Sequence, residues 1–217
     1  NDSRLLRWNS DKRYLFELAR LGVATIPTRL AHGSELARVL ASMPDASVVV
    51  KPTISGGAWQ TLRGEVGDDA FAASVAQLPT ALDYLVQPYL SEIAGAGEWS
   101  LLYFGGEYSH AVIKRPAAGD YRVQDEHGGR SEPAVPDAAT RAAAGRALAA
   151  LAVAGHDVPA YARVDGVVSG GRFVLMELEL IEPSLFLAGQ PQAAERFAHL
   201  LANHPALRRA ALSSPSH

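Results

Sequence analysis

Residues 161–180 read YARVDGVVSGGRFVLMELEL. Two runs within this stretch alternate apolar and polar side chains, which is the period of a β-strand. Ser169-Gly170-Gly171 between them is a turn signal. One strand then carries Arg163 and Asp165 on one face, and the next carries Glu177 and Glu179 on one face. If the register brings those faces together, three carboxylates converge. Like charges packed that way repel and raise each other's pKa. A divalent cation relieves the repulsion, and hard oxygen ligands suit Mg²⁺. The alternative is the solvated outer face of an ordinary hairpin. Register decides between them. A two-residue turn at Gly170-Gly171 sets Asp165 against Met176 and sends Glu177 to the far side of the sheet. Convergence therefore requires a three-residue turn or a β-bulge.

The rest of the chain suits a soluble enzyme. Its 217 residues, 48% hydrophobic and 20% charged, can bury a real core in one domain or two small lobes. A formal net charge of -3 gives no electrostatic footprint for nucleic acid or an anionic membrane. The absence of cysteine excludes disulfides, zinc–cysteine sites and a cysteine nucleophile. No apolar run reaches the roughly 20 residues that span a bilayer, and no signal peptide is visible. A cytoplasmic location is the expectation. Asn1-Asp2-Ser3 matches a glycosylation sequon, which reads as chance without secretion signals. Nothing in the sequence sets the oligomeric state.

Elements alternate along the chain. Helices are predicted over residues 11–21, with Gly22 as the stop, over 34–41, over 68–77, over 137–154 with Asp137 as cap, and over 190–203. Strands are predicted over residues 48–51, 84–89, 98–104 and 107–114, the last two joined by the two-residue turn Gly105-Gly106. Residues 116–136 show little periodicity and read as a long loop. No internal repeat is present.

Three loops carry chemistry. Lys51-Pro52 ends a strand beside Ser55-Gly56-Gly57-Ala58, where backbone N–H groups could form a phosphate nest with a lysine charge beside it. A surface lysine before a turn is the alternative. The pattern is neither a Walker A motif nor a dinucleotide fingerprint. Gln87-Pro88-Tyr89-Leu90 leaves an apolar strand and could offer backbone groups to a purine edge, or simply exit a sheet. Lys114, Arg115 and Arg122 suggest anion binding, with a solvated basic loop as the equal reading. The seven histidines show no ligand spacing, and no Ser-His-Asp arrangement is visible.

In order, these pieces resemble the ATP-grasp superfamily. The matching series runs from Lys12 through Lys51-Pro52, the Ser55-Gly56-Gly57 loop, Gln87-Pro88-Tyr89-Leu90, Gly97-Glu98, Lys114-Arg115-Pro116 and Gly119-Asp120-Tyr121-Arg122. It continues through Gly128-Gly129 and Arg163-Val164-Asp165 to Glu177-Leu178-Glu179. Each motif is loose and their shared order is specific. The series looks most like the glutathione-synthetase and ribosomal-protein glutamate ligase branch, and the ending ELELIEPSLFL is similar to the group that closes the ring of D-cycloserine. The resemblance implies an α+β fold of two subdomains, residues 1–90 and 91–217, with nucleotide held between two antiparallel sheets. It also implies an upstream α/β domain that helps bind the acceptor and is not part of this sequence.

The resemblance assigns roles as well. Lys12 and Lys51 would meet the phosphates, and residues 55–58 would form the mobile loop over them. The backbone of residues 87–90 would read adenine. Glu98 would take the ribose hydroxyls, with Glu92 as second candidate. Lys114, Arg115, Arg122 and Ser184 would face the substrate, and Arg122 would contact the transferring phosphate. Asp165, Glu177 and Glu179 would hold two Mg²⁺ ions, with Mn²⁺ as the alternative metal. Arg163 would steady charge in the transition state, since phosphoryl transfer needs positioning and cationic charge rather than a protein nucleophile. Many relatives end the metal motif with Asn, where Glu179 stands here. The implied activity is an ATP-dependent carboxylate–amine or cyclising ligase, working through an acyl phosphate on small molecules. An ATP-binding module without activity of its own, or an ATP-grasp kinase, are the other readings.

Overall fold

The computed structural model describes residues 1–44, 46–117 and 128–203. Two antiparallel sheets organise it. The first comprises β1 (Arg29–His32), β2 (Ser47–Pro52), β3 (Leu62–Glu65) and β4 (Asp83–Pro88), in the order β1-β4-β2-β3. Alternation along β2 buries Val48 and Val50 completely against Tyr84 and Val86. The helices α3 (Leu36–Ala41) and α4 (Asp69–Val75) close that core. Asp68 caps α4 by accepting the Phe71 N–H at 2.8 Å. Val49 and Lys51 point to the opposite face, away from this core.

The second sheet comprises β5 (Glu98–Phe104), β6 (Glu107–Arg115), β7 (Arg130–Ala134), β8 (Tyr161–Ser169) and β9 (Arg172–Glu179), in the order β7-β6-β5-β8-β9. Gly105 and Gly106 turn β5 into β6 at φ +58° and +81°, a left-handed pair that glycine adopts without strain. The helix α6 (Ala138–Val153) packs on β8 and β9, and α7 (Pro191–Asn203) meets β5. The first two helices, α1 (Ser3–Asn9) and α2 (Tyr14–Arg20), also belong to this core. Leu5, Leu15 and Leu18 bury against Leu101, Val164 and Leu178. The chain thus starts on the second sheet, builds the first, and returns. No helix among the described residues is long and apolar enough to cross a membrane.

The hairpin of β8 and β9 resolves the register question. Ser169 pairs with Arg172, so the turn has two residues, and Gly166 pairs with Leu175. The ladder then shifts: Asp165 faces Glu177 and Arg163 faces Glu179. Met176 is the extra residue of a bulge, and it restores the pairing that a plain two-residue turn would have lost. Leu175 and Leu178 stay in the core while Met176 and Glu177 both line the opposite face. Gly166 makes room for the bulge, because a Cβ there would sit 2.4 Å from the Val174 carbonyl and 2.5 Å from the Phe173 ring.

Several expectations are corrected. The second helix begins at Tyr14, not residue 11, because Asp11 to Arg13 form a turn whose Lys12 N–H is bonded to the Thr53 carbonyl at 2.7 Å. Residues 116–136 are not all loop: β7 pairs along β6, and its Pro133 is tolerated on an edge strand. The short elements α1, β1, β3 and α5 (Glu92–Gly95) carry too few residues for a periodic signal. Gly166→Ala is expected to destabilise the protein by about 1–3 kcal/mol through overpacking. Gly145→Ala, in α6 with nothing within 4 Å of the added carbon, should stabilise by roughly 0.5–1 kcal/mol. Urea unfolding of both variants checks the contrast.

Candidate active site

A cleft of about 470 Å³ runs between the two sheets. Strand alternation fills it with polar groups. From the first sheet come Lys51 and the backbone leaving β4, and from the second come Glu98, Lys114, Arg163, Asp165, Glu177 and Glu179. The Ser55-Gly56-Gly57-Ala58 loop and Lys12 stand at its rim.

Arg163 and Asp165 form the centre. Arg163 Nε donates to both Asp165 carboxylate oxygens at 3.0 Å, and Nη2 donates to Oδ2 at 2.9 Å. Ser100, directly opposite on β5, donates its hydroxyl to Asp165 Oδ1 at 2.5 Å. Lys114 Nζ lies 3.3 Å from Oδ2 and 2.6 Å from Glu98. Burial would raise Asp165, but Arg163 and Lys114 hold it down at about 2. Arg163 also pairs with Glu179 across the ladder. Burial pushes the Glu179 carboxyl up to about 8; the Asp165 and Glu177 charges add to that, and Arg163 opposes it. Burial likewise raises Glu98, against the pull of Lys114.

The lysines divide the remaining work. Lys12 Nζ donates to the Ser55 carbonyl at 2.5 Å and to its hydroxyl at 3.3 Å, and pairs with Glu177 at 3.4 Å. It therefore ties the glycine loop of one sheet to a carboxylate of the other. The Lys51 ammonium makes no ion pair or hydrogen bond among the described residues. Burial lowers its pKa, with the Glu177 charge opposing. In the loop, Gly57 and Ala58 both adopt φ +56°, and the Trp59 N–H closes a turn on the Gly56 carbonyl at 3.0 Å. Trp59 is half-exposed.

The exit of β4 is partly committed. The Gln87 amide donates to the Thr28 hydroxyl at 2.9 Å, and the Tyr89 N–H donates to the Ser47 carbonyl at 2.9 Å. Pro88, Leu90, Ile93 and Met176 give this end of the cleft an apolar lining.

Three sequence-predicted residues do not reach the cleft. Glu92 accepts the Ser169 hydroxyl at 2.5 Å, at the far end of the β8–β9 hairpin. Arg115 follows Lys114 on β6, so its side chain takes the other face and pairs with Glu132 at 3.5 Å. Ser184 is exposed, and its carbonyl rather than its hydroxyl accepts from Arg163 at 3.3 Å. Arg122 lies outside the described residues. Sequence reasoning missed Met176, whose place depends on the bulge, and it missed Ser100 and Glu98 as partners of Asp165 and Lys114. The strand spacing of those partners was readable, but only once β5 was known to lie between β6 and β8.

The donor chemistry fits a divalent cation. Asp165, Glu177 and Glu179 share a face of paired strands, and Glu179 is pushed up first by burial and then by the Asp165 and Glu177 charges, both of which a cation would offset. Among the described residues no three such groups converge at ligating distance as they stand, because Arg163, Lys114 and Lys12 hold them.

Comparison with known proteins follows from this geometry. No family model matches the chain. The cycloserine biosynthesis protein DcsG of Streptomyces lavendulae is 38% identical over 214 residues, spanning 91% of this chain and 70% of DcsG. The crystal structure of the D-cycloserine synthetase DcsG matches with a TM-score of 0.78 at 34% identity, over 92% of this chain and 71% of that one. An ATP-grasp RimK domain protein from Sphaerobacter thermophilus shares the fold at 18% identity and a TM-score of 0.66, over 91% of this chain and 68% of that one. A D-alanine–D-alanine ligase from Bacillus anthracis does so at 22% and 0.64, over 89% and 65%. With an inter-sheet cleft of this make-up and a relative so similar along nearly its whole length, the chain belongs to the ATP-grasp ligases, which use ATP and a divalent metal to join a carboxylate to an amine.

Proposed function

We propose that this chain phosphorylates the carboxylate of a small amino-acid derivative and then joins the acyl group to a nitrogen of the same molecule, closing a ring. The bulged register carries the reading: it sets Asp165, Glu177 and Glu179 on one face of a cleft that also holds Lys12 and Lys51. The relative named a D-cycloserine synthetase supports the cyclising form. Lys51 and Lys12 bind the phosphates, and the Ser55–Ala58 backbone closes over them. Leu90, Ile93 and Met176 form an apolar seat for adenine beside the β4 exit. Glu98 reaches the ribose end only if Lys114 releases it. Asp165, Glu177 and Glu179 hold two Mg²⁺ ions, with Mn²⁺ as a substitute; the metal neutralises phosphate charge as it is redistributed. Arg163 steadies the transferring group.

The bonds balance simply. A carboxylate oxygen attacks the γ-phosphorus and ADP leaves. The nitrogen then attacks the acyl carbon, phosphate leaves, and the nitrogen gives up a proton. Arg122 and a preceding domain complete the substrate side of this proposal, which places the reaction among small molecules of the cytoplasm. The deciding experiment offers amino-acid derivatives to the complete protein and follows ADP release with product mass. Loss of water from a single substrate supports ring closure. Condensation of two substrates indicates intermolecular ligation, and a phosphate ester indicates a kinase.

Lys51→Met should weaken ATP binding by about 1–3 kcal/mol, as expected for a lost charge-assisted contact. Calorimetry giving equal affinity would remove Lys51 from the site. The Glu179 shift predicts a pH dependence. Its proton must leave before the carboxylate ligates a metal, so Mg²⁺ affinity should climb with pH and level off above about 8. In metal-free protein the sign is opposite. A carboxyl raised from 4.5 to about 8 on folding adds stability that is complete below 4.5 and disappears as pH rises through about 8. Metal titrations and thermal melts across that window check both signs, and a flat affinity profile would count against Glu179 as a ligand.

A further inference from the structure

The turn that carries Lys12 also grips strand β9 from its open side. Among the described residues that strand is the last of its sheet, so the backbone groups of Leu178 and Leu180 that face away from β8 meet no neighbouring strand there. Two buried side chains stand in for one. Asn9 Nδ2 donates to the Leu178 carbonyl at 2.7 Å, and Asn9 Oδ1 accepts the Leu180 N–H at 3.0 Å. Tyr14 Oη accepts the Leu178 N–H at 2.8 Å and donates to the Leu178 carbonyl at 3.1 Å. Upstream, Leu175 is held by main chain: its N–H donates to the Ala24 carbonyl at 2.8 Å, and its carbonyl accepts the Ile26 N–H at 3.2 Å.

The grips at Leu175 and Leu178 flank Met176 and Glu177, the bulge and the carboxylate it redirects. Leu178 in turn lies between Glu177 and Glu179. A bulge at a sheet edge is easily lost to a one-residue slip, and such a slip would move both glutamates to the wrong face. We propose that Asn9 and Tyr14 are positioning residues that set Glu177 and Glu179 for the divalent cation by fixing the edge of β9. The inference rests on the reading of those glutamates as metal ligands. Outer partners of this kind hold a ligand's orientation without touching the ion. Lys12, between them in sequence, pairs with Glu177, and its N–H is bonded to Thr53 beside the glycine loop. The same turn therefore sets the lysine and the carboxylate relative to each other.

The test uses Tyr14→Phe, which removes the hydroxyl and keeps the ring that packs on Trp8 at 5.0 Å, together with Asn9→Ser and Glu177→Gln. Hydrogen exchange at Leu178 and Leu180 reads the grip. Mn²⁺ binding in the presence of a non-hydrolysable ATP analogue reads its consequence, and analogue binding in EDTA is the control. Faster exchange at Leu178 in Tyr14→Phe and at Leu180 in Asn9→Ser, with about tenfold weaker Mn²⁺ binding and unchanged analogue binding in EDTA in both, is the expected result. If Glu177→Gln keeps full Mn²⁺ affinity, the metal reading itself falls. If Glu177→Gln weakens Mn²⁺ binding while both clamp variants keep it, the positioning role alone is overturned. Equal loss of analogue affinity in EDTA, or failure of both clamp variants to fold, would assign these side chains to general structural support and overturn it as well.

Discussion

Everything in the cleft is arranged around a buried ion pair. Arg163 and Asp165 sit two residues apart on β8, on the same face, with the arginine held against the carboxylate by three hydrogen bonds. Burying two charges this way costs desolvation that their attraction repays only when the remaining donors and acceptors are also met. Here they are. Ser100 and Lys114 reach the aspartate from β5 and β6, and Glu179 and the Ser184 carbonyl reach the arginine from β9 and the segment after it. The pair consequently fixes the relative positions of four strands and the following loop. Removing Arg163 would leave Asp165 to Lys114 and Ser100 alone, and removing Asp165 would leave Arg163 to Glu179 and the Ser184 carbonyl.

Fold and site differ in how far they were legible. The long β8–β9 alternation declares itself by its period, the Gly105-Gly106 turn by its glycine pair, and the helix after Asp137 by its alanine content and cap. The two-sheet architecture of the ATP-grasp fold followed from the order of loose motifs. What stayed hidden was pairing. Whether Asp165 meets Glu177 or Met176 depends on one extra residue, and no alternation pattern distinguishes a bulge from a plain ladder. Gly166 was the available clue, since a glycine inside a strand often marks a bulge. Arg115 shows the converse. Three cations close in sequence suggested one anion site, yet strand alternation sends Lys114 into the cleft and Arg115 away from it. The short edge strands β1, β3 and β7 owe their form to neighbours rather than to their own residues, so local reading could not find them.

The charge pattern of the cleft bears on how a nucleotide can enter it. Lys12 engages Glu177 and Ser55, Arg163 engages Glu179, and Lys114 engages Glu98. On the proposed reading, binding of a metal–nucleotide would exchange these partners. In the proposed site, phosphate oxygens would take the lysines as the cation takes the carboxylates. Such an exchange limits the desolvation needed, because the fold has already removed these groups from water. It also gives the glycine loop a reason to respond. If Lys12 meets a phosphate as proposed, its bond to the Ser55 carbonyl must change, which would link loop position to phosphate occupancy through one side chain.

Glu179 is the cleft carboxyl that burial, with the charges of Asp165 and Glu177 added to it, pushes up to about 8. An asparagine there would offer an oxygen of fixed charge at every pH. A glutamate offers either a neutral carboxylic acid or a carboxylate, and the choice is coupled to whether a cation or only Arg163 stands opposite. If Glu179 ligates the metal as proposed, loading and proton release become two sides of one equilibrium, since the carboxyl must lose its proton before it can bind a cation.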